Sequence, residues 1–124
     1  KKPEFFDKVL LDAPCSGERG VVHKKSDLDL WKEKRTKNFG IRQYALLASA
    51  FDTLKPGGKI VYSTCSISPY ENDEVIKKLG KRKKDQFQII DQSVEGFEKT
   101  EFGNQALPDK SGWGPIYFCS IQKN

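Results

Sequence analysis

Two cysteines stand in settings where a thiol could do chemistry. Cys15 closes the string Asp12-Ala13-Pro14-Cys15, and Cys65 sits within Ser63-Thr64-Cys65-Ser66. A thiolate adds to electrophilic carbon, and the covalent adduct it forms splits one difficult transfer into two easier steps. Either cysteine alone would read as an inert buried residue; it is the two contexts together that single them out. The third cysteine, Cys119, alternates within a strand-like run and reads as packing.

Each of the two strings follows a short apolar run that has to position it. The first is Phe5-Phe6-Asp7-Lys8-Val9-Leu10-Leu11-Asp12 and the second is Lys59-Ile60-Val61-Tyr62-Ser63. Both read as buried central strands of a parallel sheet. In an open α/β sheet, loops leaving the carboxyl ends of neighbouring strands converge on one crevice. If the two strands are neighbours, Cys15 and Cys65 face one pocket, and residues 13–58 are long enough to hold the crossover helix that such a pair requires.

The rest of the composition bounds the answer. A chain of 124 residues, 36% hydrophobic and 31% charged, fits one domain with a modest core. Its formal charge of +5 permits an anionic partner such as RNA without demanding one, because 17 acidic residues are mixed among 22 basic ones. Three scattered cysteines without a Cys-x-x-Cys pair, and the single His23, argue against a structural zinc site, so no metal is expected. No stretch approaches the ~20 apolar residues of a membrane-spanning helix, so no membrane partner is expected. The odd cysteine count and the lack of a signal-like segment favour a reducing, intracellular compartment. With no methionine, the chain is expected to be part of a longer or processed protein.

Along the chain, residues 18–38 are polar and lysine-rich, with a helical stretch plausible at 29–37 and Trp31 as a local core anchor. His23 reads as a loop residue. Lys24, Lys25, Lys32, Lys34, Arg35 and Lys37 form either a solvated face or a track for RNA phosphates. Over 39–54, Ile41, Tyr44, Leu47, Ala48, Phe51 and Leu54 recur at helical spacing and predict one buried face. Lys55-Pro56-Gly57-Gly58 ends that helix. Ser68-Pro69-Tyr70-Glu71 predicts a capping box, with Ser68 as N-cap and Glu71 reaching back to it. The helix that follows buries Val75, Ile76 and Leu79, begins acidic and ends basic. The run 81–84 reads as a solvated helix end. Strands are expected at 87–90 and 116–121, with 95–111 irregular.

At this point a family becomes recognisable. Asp7 through Gly17, and Lys55 through Ser66 followed by Glu71-Asn72, resemble the fourth and sixth motifs of the Sun (NSUN/RsmB-like) family of RNA cytosine-5 methyltransferases, in order and spacing. The ending Trp113-Gly114-Pro115-Ile116-Tyr117-Phe118 looks most like the mitochondrial branch, with nucleolar and cytoplasmic members as alternatives. The resemblance implies a Rossmann-like class I methyltransferase sheet, an α/β fold of which residues 1–124 hold the second half, mostly parallel with an antiparallel last strand. The cofactor-binding N-terminal half, with its glycine-rich loop, would then be absent, and the chain alone would be inactive and would bind S-adenosylmethionine weakly.

The same resemblance implies the roles. Cys65 is the nucleophile that adds to carbon 6 of cytosine in rRNA or tRNA, and Cys15 assists release of the adduct. Asp12 hydrogen-bonds the base and lies beside S-adenosylmethionine, the methyl donor, and Pro14 stiffens the loop at the cofactor side. The target base must be unpaired or flipped out to enter the pocket. Two rivals stand beside this reading. In a DNA cytosine-5 methyltransferase the Pro-Cys thiol would attack, and the Thr-Cys loop argues against it. A noncatalytic RNA-binding or ribosome-assembly protein could also keep the fold.

Overall fold

A computed structural model describes residues 4–14, 25–66, 68–106 and 115–124. Their elements are β1 (Phe6–Asp12), α1 (Lys25–Asp52), β2 (Leu54–Thr64), α2 (Asp73–Arg82), β3 (Phe87–Ile90), β4 (Glu98–Lys99), β5 (Asn104–Ala106) and β6 (Ile116–Lys123).

The strands form one sheet in the order β1-β2-β6-β5-β4, and β3 also pairs with β6. β1 and β2 are parallel neighbours in the expected way, joined through the crossover helix α1. β6 is antiparallel to β2, β3 and β5. Thus β1, β2, β3 and β5 run one way, and the last strand runs against them. This is the mixed α/β class anticipated, with one detail not anticipated: the last strand lies inside the sheet, between β2 and β3. Its outer edge is shared, residues 120–123 facing β3 and residues 116–118 facing β5.

Both helices pack on one face of the sheet. Leu47 and Phe51 of α1, and Val75, Ile76 and Leu79 of α2, join Ile60 and Tyr62 of β2 and Tyr117, Cys119 and Ile121 of β6 in a single core. Alternation explains the set, since every second strand residue points to that face. The other face is thinly covered, and Leu10, paired with Val61, is 74% exposed there. The expectation that β1 is a buried central strand therefore fails within this chain: β1 has a partner on one edge only among the described residues. Its apolar residues on both faces are the pattern of a strand built to be covered twice.

The helix reading also needs correction. A single helix runs from Lys25 to Asp52, and its buried stripe is Thr36, Gly40, Gln43, Leu47 and Phe51. Ile41, predicted on the buried face, is 60% exposed. The apolar pattern misled because Thr36, Gly40 and Gln43 hold three of the five inward positions. The helix end is closed from outside: Lys123 Nζ on β6 donates to the carbonyls of Phe51 and Leu54 at 3.2 and 2.9 Å. Residues 55–58 do not precede β2 but bulge within it, since Phe6 faces Leu54 while Lys8 faces Lys59. Gly57 there has φ +84°, a conformation glycine reaches without strain. The calls on Cys15, His23, Lys24 and Trp113, and on the side chains of Lys25, Trp31 and Lys32, lie outside the described residues.

Tyr62 and Tyr117 meet edge to face across β2 and β6, ring centroids 6.3 Å apart. Burial raises both phenols. Burial, then the Asp73 charge, pushes the Cys119 thiol up to about 12, with the Tyr117 hydrogen bond opposing. All three groups are neutral when folded and ionise more readily when unfolded. The stability they add is therefore complete below about pH 9 and is lost as pH climbs through the folded-state value of Cys119. Urea denaturation at rising pH should show the midpoint falling between pH 9 and 12, less steeply in Cys119→Ala; a pH-independent midpoint would refute it. The open edge of β1 yields a second expectation. The 124-residue chain alone should self-associate in light scattering, and Leu10→Lys should reduce this; a monodisperse wild-type chain would refute it.

Candidate active site

The two motif strings leave the sheet side by side. Asp12, the last residue of β1, is paired in register with Ser63 of β2. The Ala13 N–H donates to the Ser63 carbonyl at 2.9 Å, and Ser63 Oγ donates to Asp12 Oδ1 at 3.3 Å. Parallel pairing to the last residue of β1 is what brings Asp12-Ala13-Pro14 and Ser63-Thr64-Cys65-Ser66 together. Asp12 and Pro14 are exposed. Cys65, one residue beyond β2, is half-buried and disulfide-bonded, so a Cys65 nucleophile would be the thiolate of its reduced form. Cys15 lies outside the described residues.

The loop after Cys65 is knitted by its own side chains. Thr64 Oγ1 donates to Asn72 Oδ1 at 2.6 Å, and Asn72 Nδ2 donates to the Ser66 carbonyl at 2.8 Å. The Ser66 N–H donates to Thr64 Oγ1 at 3.2 Å, and the Ser68 N–H to Ser66 Oγ at 2.9 Å. Ser66 Oγ in turn donates to Glu71 Oε2 at 2.8 Å. The serines and threonine of the motif are structural ties in a buried turn, as such side chains readily are.

The predicted capping box does not form. α2 begins at Asp73, its N-cap position is Asn72, and no side chain caps it. Ser68 Oγ accepts from the Tyr70 N–H within the preceding turn, and Asn72 is committed to Thr64 and Ser66. Glu71 turns inward, fully buried. Its carboxylate accepts from Gln43 Nε2 at 3.0 Å as well as from Ser66, and its carbonyl accepts from Tyr62 Oη at 2.6 Å. A buried charge survives only with such partners.

Gln43 is the residue that sequence reasoning missed. It is fully buried on α1, and the same Nε2 that meets Glu71 also donates to the Pro14 carbonyl. One amide thus ties the loop after β1 to the loop after β2. Gly40, one turn earlier, lets the helix approach: a Cβ there would lie 2.3 Å from the Tyr70 carbonyl oxygen. The available signal was Thr36, Gly40 and Gln43 falling in line with Leu47 and Phe51, three polar or minimal residues on an inward helical stripe. On the far side of the loop, Asp73 accepts from Thr100 Oγ1, Tyr117 Oη and the Glu101 and Phe102 N–H groups. Among the described residues, no three His, Cys, Asp or Glu side chains gather as metal ligands.

Comparison with known proteins bears on what this arrangement serves. Residues 1–122 match the family model described as 16S rRNA methyltransferase RsmB/F. A curated relative, ribosomal RNA small subunit methyltransferase F of Erwinia tasmaniensis, is 53% identical over 78 residues, which is 62% of this chain and 16% of the relative. The crystal structure of PH0851 superposes with a TM-score of 0.80 at 29% identity, covering 98% of this chain and 27% of that one. NSun6 from Pyrococcus horikoshii, in a crystal structure with SFG, gives 0.74 at 23% identity over 97% of this chain and 30% of that one, a likeness of fold. The chain spans well under a third of each of these relatives.

Two glycines test the close approach of α1 to the loop. Gly80→Ala on α2, where a Cβ meets only Phe87 at 3.9 Å, should stabilise by about 0.5–1 kcal/mol. Gly40→Ala should instead destabilise by about 1–3 kcal/mol, because the added methyl displaces the Tyr70 carbonyl. Urea midpoints of the two variants measure this; equal stabilisation by both would remove the loop contact from the account.

Proposed function

The chain belongs to the 16S rRNA methyltransferase RsmB/F family, and from that membership we propose that it is the second half of the catalytic domain of an RNA cytosine-5 methyltransferase acting on ribosomal RNA. The observation that carries the reading is the parallel pairing of Asp12 with Ser63. It sets the ends of both motif strands beside one another, as a two-thiol mechanism on one base requires.

In this reading the Cys65 thiolate forms a bond to carbon 6 of cytosine, and the electron pair of the 5,6 double bond makes carbon 5 nucleophilic. S-adenosylmethionine supplies the electrophilic methyl group that carbon 5 accepts. Once the carbon-5 proton has been lost to a base, the 5,6 double bond re-forms as the Cys65–carbon 6 bond breaks, and Cys15 assists that release. The exposed Asp12 carboxylate accepts from the exocyclic amine of the base, favouring the charge that develops during addition.

The described residues fit the methyl donor as far as they reach. Asp12 offers an exposed carboxylate at a parallel strand end, suited to a cationic or amine-bearing ligand, and the neighbouring Pro14 stiffens the loop on that side. SFG, an analogue of S-adenosylmethionine, accompanies the Pyrococcus NSun6. In this reading the remaining cofactor contacts come from the other half of the catalytic domain.

The test uses the complete natural protein under reducing conditions. Cys15→Ser, incubated with S-adenosylmethionine and ribosomal RNA, should accumulate an RNA-linked band on a denaturing gel, and adding Cys65→Ala should abolish it. A band that requires Cys15 would reverse the two thiols. RNA binding without any adduct would favour a noncatalytic assembly role.

A further inference from the structure

We propose that the α1–α2 face is the track that holds the phosphate backbone of the RNA flanking the target base; the proposal rests on the RNA methyltransferase reading above. Between the two helices runs a groove of about 530 Å3, into which Lys37 of α1 and Lys77, Lys78, Lys81 and Arg82 of α2 project. Among the described residues, Glu74 is the one acid lining it. A second groove of about 350 Å3 lies along α1, lined by Lys34, Arg35 and Arg42 around Asn38 and Phe39, with no acid among its described lining residues. Among the described residues, these two grooves are lined by eight basic residues and one acidic residue. The described residues outside the grooves carry more acidic than basic side chains, so among the described residues the positive charge is concentrated here. The run 81–84, read from sequence as a solvated helix end, contributes two of these cations.

Such segregation suits a polyanion, because neutralising phosphates releases their condensed counterions. The cations are also partly ordered beforehand. Lys78 and Arg82 lie 4.6 and 6.0 Å from the Tyr44 ring centroid, and Lys37 lies 5.2 Å from that of Tyr70. Arg35 and Arg42 stand 5.1 and 5.4 Å from the Phe39 centroid. Aromatic faces that hold long cationic side chains reduce the entropy lost when those side chains meet a ligand. The exposed Ile41 and the Tyr70 ring add apolar surface for sugars or an unstacked base.

The groove also leads to the chemistry. Its floor is Gly40 and Tyr70, and Tyr70 belongs to the turn whose next residue, Glu71, is bonded to Ser66 beside Cys65. RNA lying in the groove would press on the back of the loop that carries the proposed nucleophile.

The experiment compares three forms of the complete protein on one ribosomal RNA fragment: wild type, Lys77→Gln/Lys81→Gln/Arg82→Gln, and a control with Lys8→Gln/Lys55→Gln/Lys99→Gln elsewhere on the surface. The groove variant should bind RNA about tenfold more weakly at physiological salt. Its plot of log affinity against log salt should be shallower by about 2, from three lost phosphate contacts at ~0.7 each. KM for RNA should rise in step, with kcat at saturating RNA within about twofold of wild type. Identical affinity and salt slope in the groove variant and the control would overturn the proposal, even with methylation intact. Groove-dependent RNA binding by a protein whose wild type transfers no methyl group and whose Cys15→Ser form traps no adduct would instead refute the catalytic reading and leave the track standing. Photocrosslinking of wild-type protein to 4-thiouridine RNA supplies a measurement independent of variant folding: crosslinks should fall on peptides holding Phe39, Tyr44 or Tyr70, and crosslinks confined to other peptides would overturn the proposal.

Discussion

A buried carboxylate is the constraint on which the arrangement of the motif loops depends. Glu71 has no contact with water and must be compensated where it lies, because an ionised group transferred into the interior without donors costs several kcal/mol. Gln43 and Ser66 supply the donors, and each supplies them from a different element. The compensation of one charge therefore requires α1, the loop after β2 and the start of α2 to assume one geometry together. Gln43 extends the requirement to the loop after β1 through the Pro14 carbonyl. The network leaves Gln43 Oε1 buried without a hydrogen-bond partner, and its other bonds hold these elements in one arrangement.

Around that centre the structure anchors the start of α2 to the sheet through two tyrosines. Tyr62 on β2 reaches the Glu71 carbonyl and Tyr117 on β6 reaches the Asp73 carboxylate. The two rings pack against each other in the core, so the polar tips and the apolar bodies of the same residues perform different tasks. Asp73 also gathers the turn at Thr100, Glu101 and Phe102, which ties the β4–β5 excursion to the helix start. Pairing β6 directly with β2 makes this possible, because it sets Tyr117 beside Tyr62.

Charge is distributed on a different plan. Ser63, Thr64, Ser66 and Ser68 bring hydroxyls to the end of β2 and Asp12 is an exposed acid at the end of β1, whereas the helix face behind them is basic. Short-range hydrogen bonds set the loops, and longer-range attraction acts on the face that approaches them. A base bound at the strand ends and a backbone held along the helices would then be recognised by unlike forces, positional at the first and electrostatic at the second.

Much of this was legible beforehand. Two apolar runs, each followed by a cysteine motif and separated by a helix-length connection, sufficed for the parallel pair, because hydrophobic runs and chain reach are local properties. The stripe Val75, Ile76 and Leu79 and the packing role of Cys119 were readable for the same reason. The true inward face of α1, the start of α2 at Asp73 and the position of β6 inside the sheet were not. A polar residue on a helix carries no sign of whether a buried partner awaits it, and the Gln43 partners lie 28 and 29 residues away in sequence. Ser68 and Glu71 matched a local capping pattern, and tertiary hydrogen bonds overrode it. What the residues decided by themselves was the parallel pair of motif strands, the strands at 87–90 and 116–121 and the buried stripe of α2, whereas β4 and β5 fall within 95–111, which reads as irregular. Only the folded chain decided which polar side chains turn inward, because that depends on donors and acceptors brought together from distant parts of the sequence.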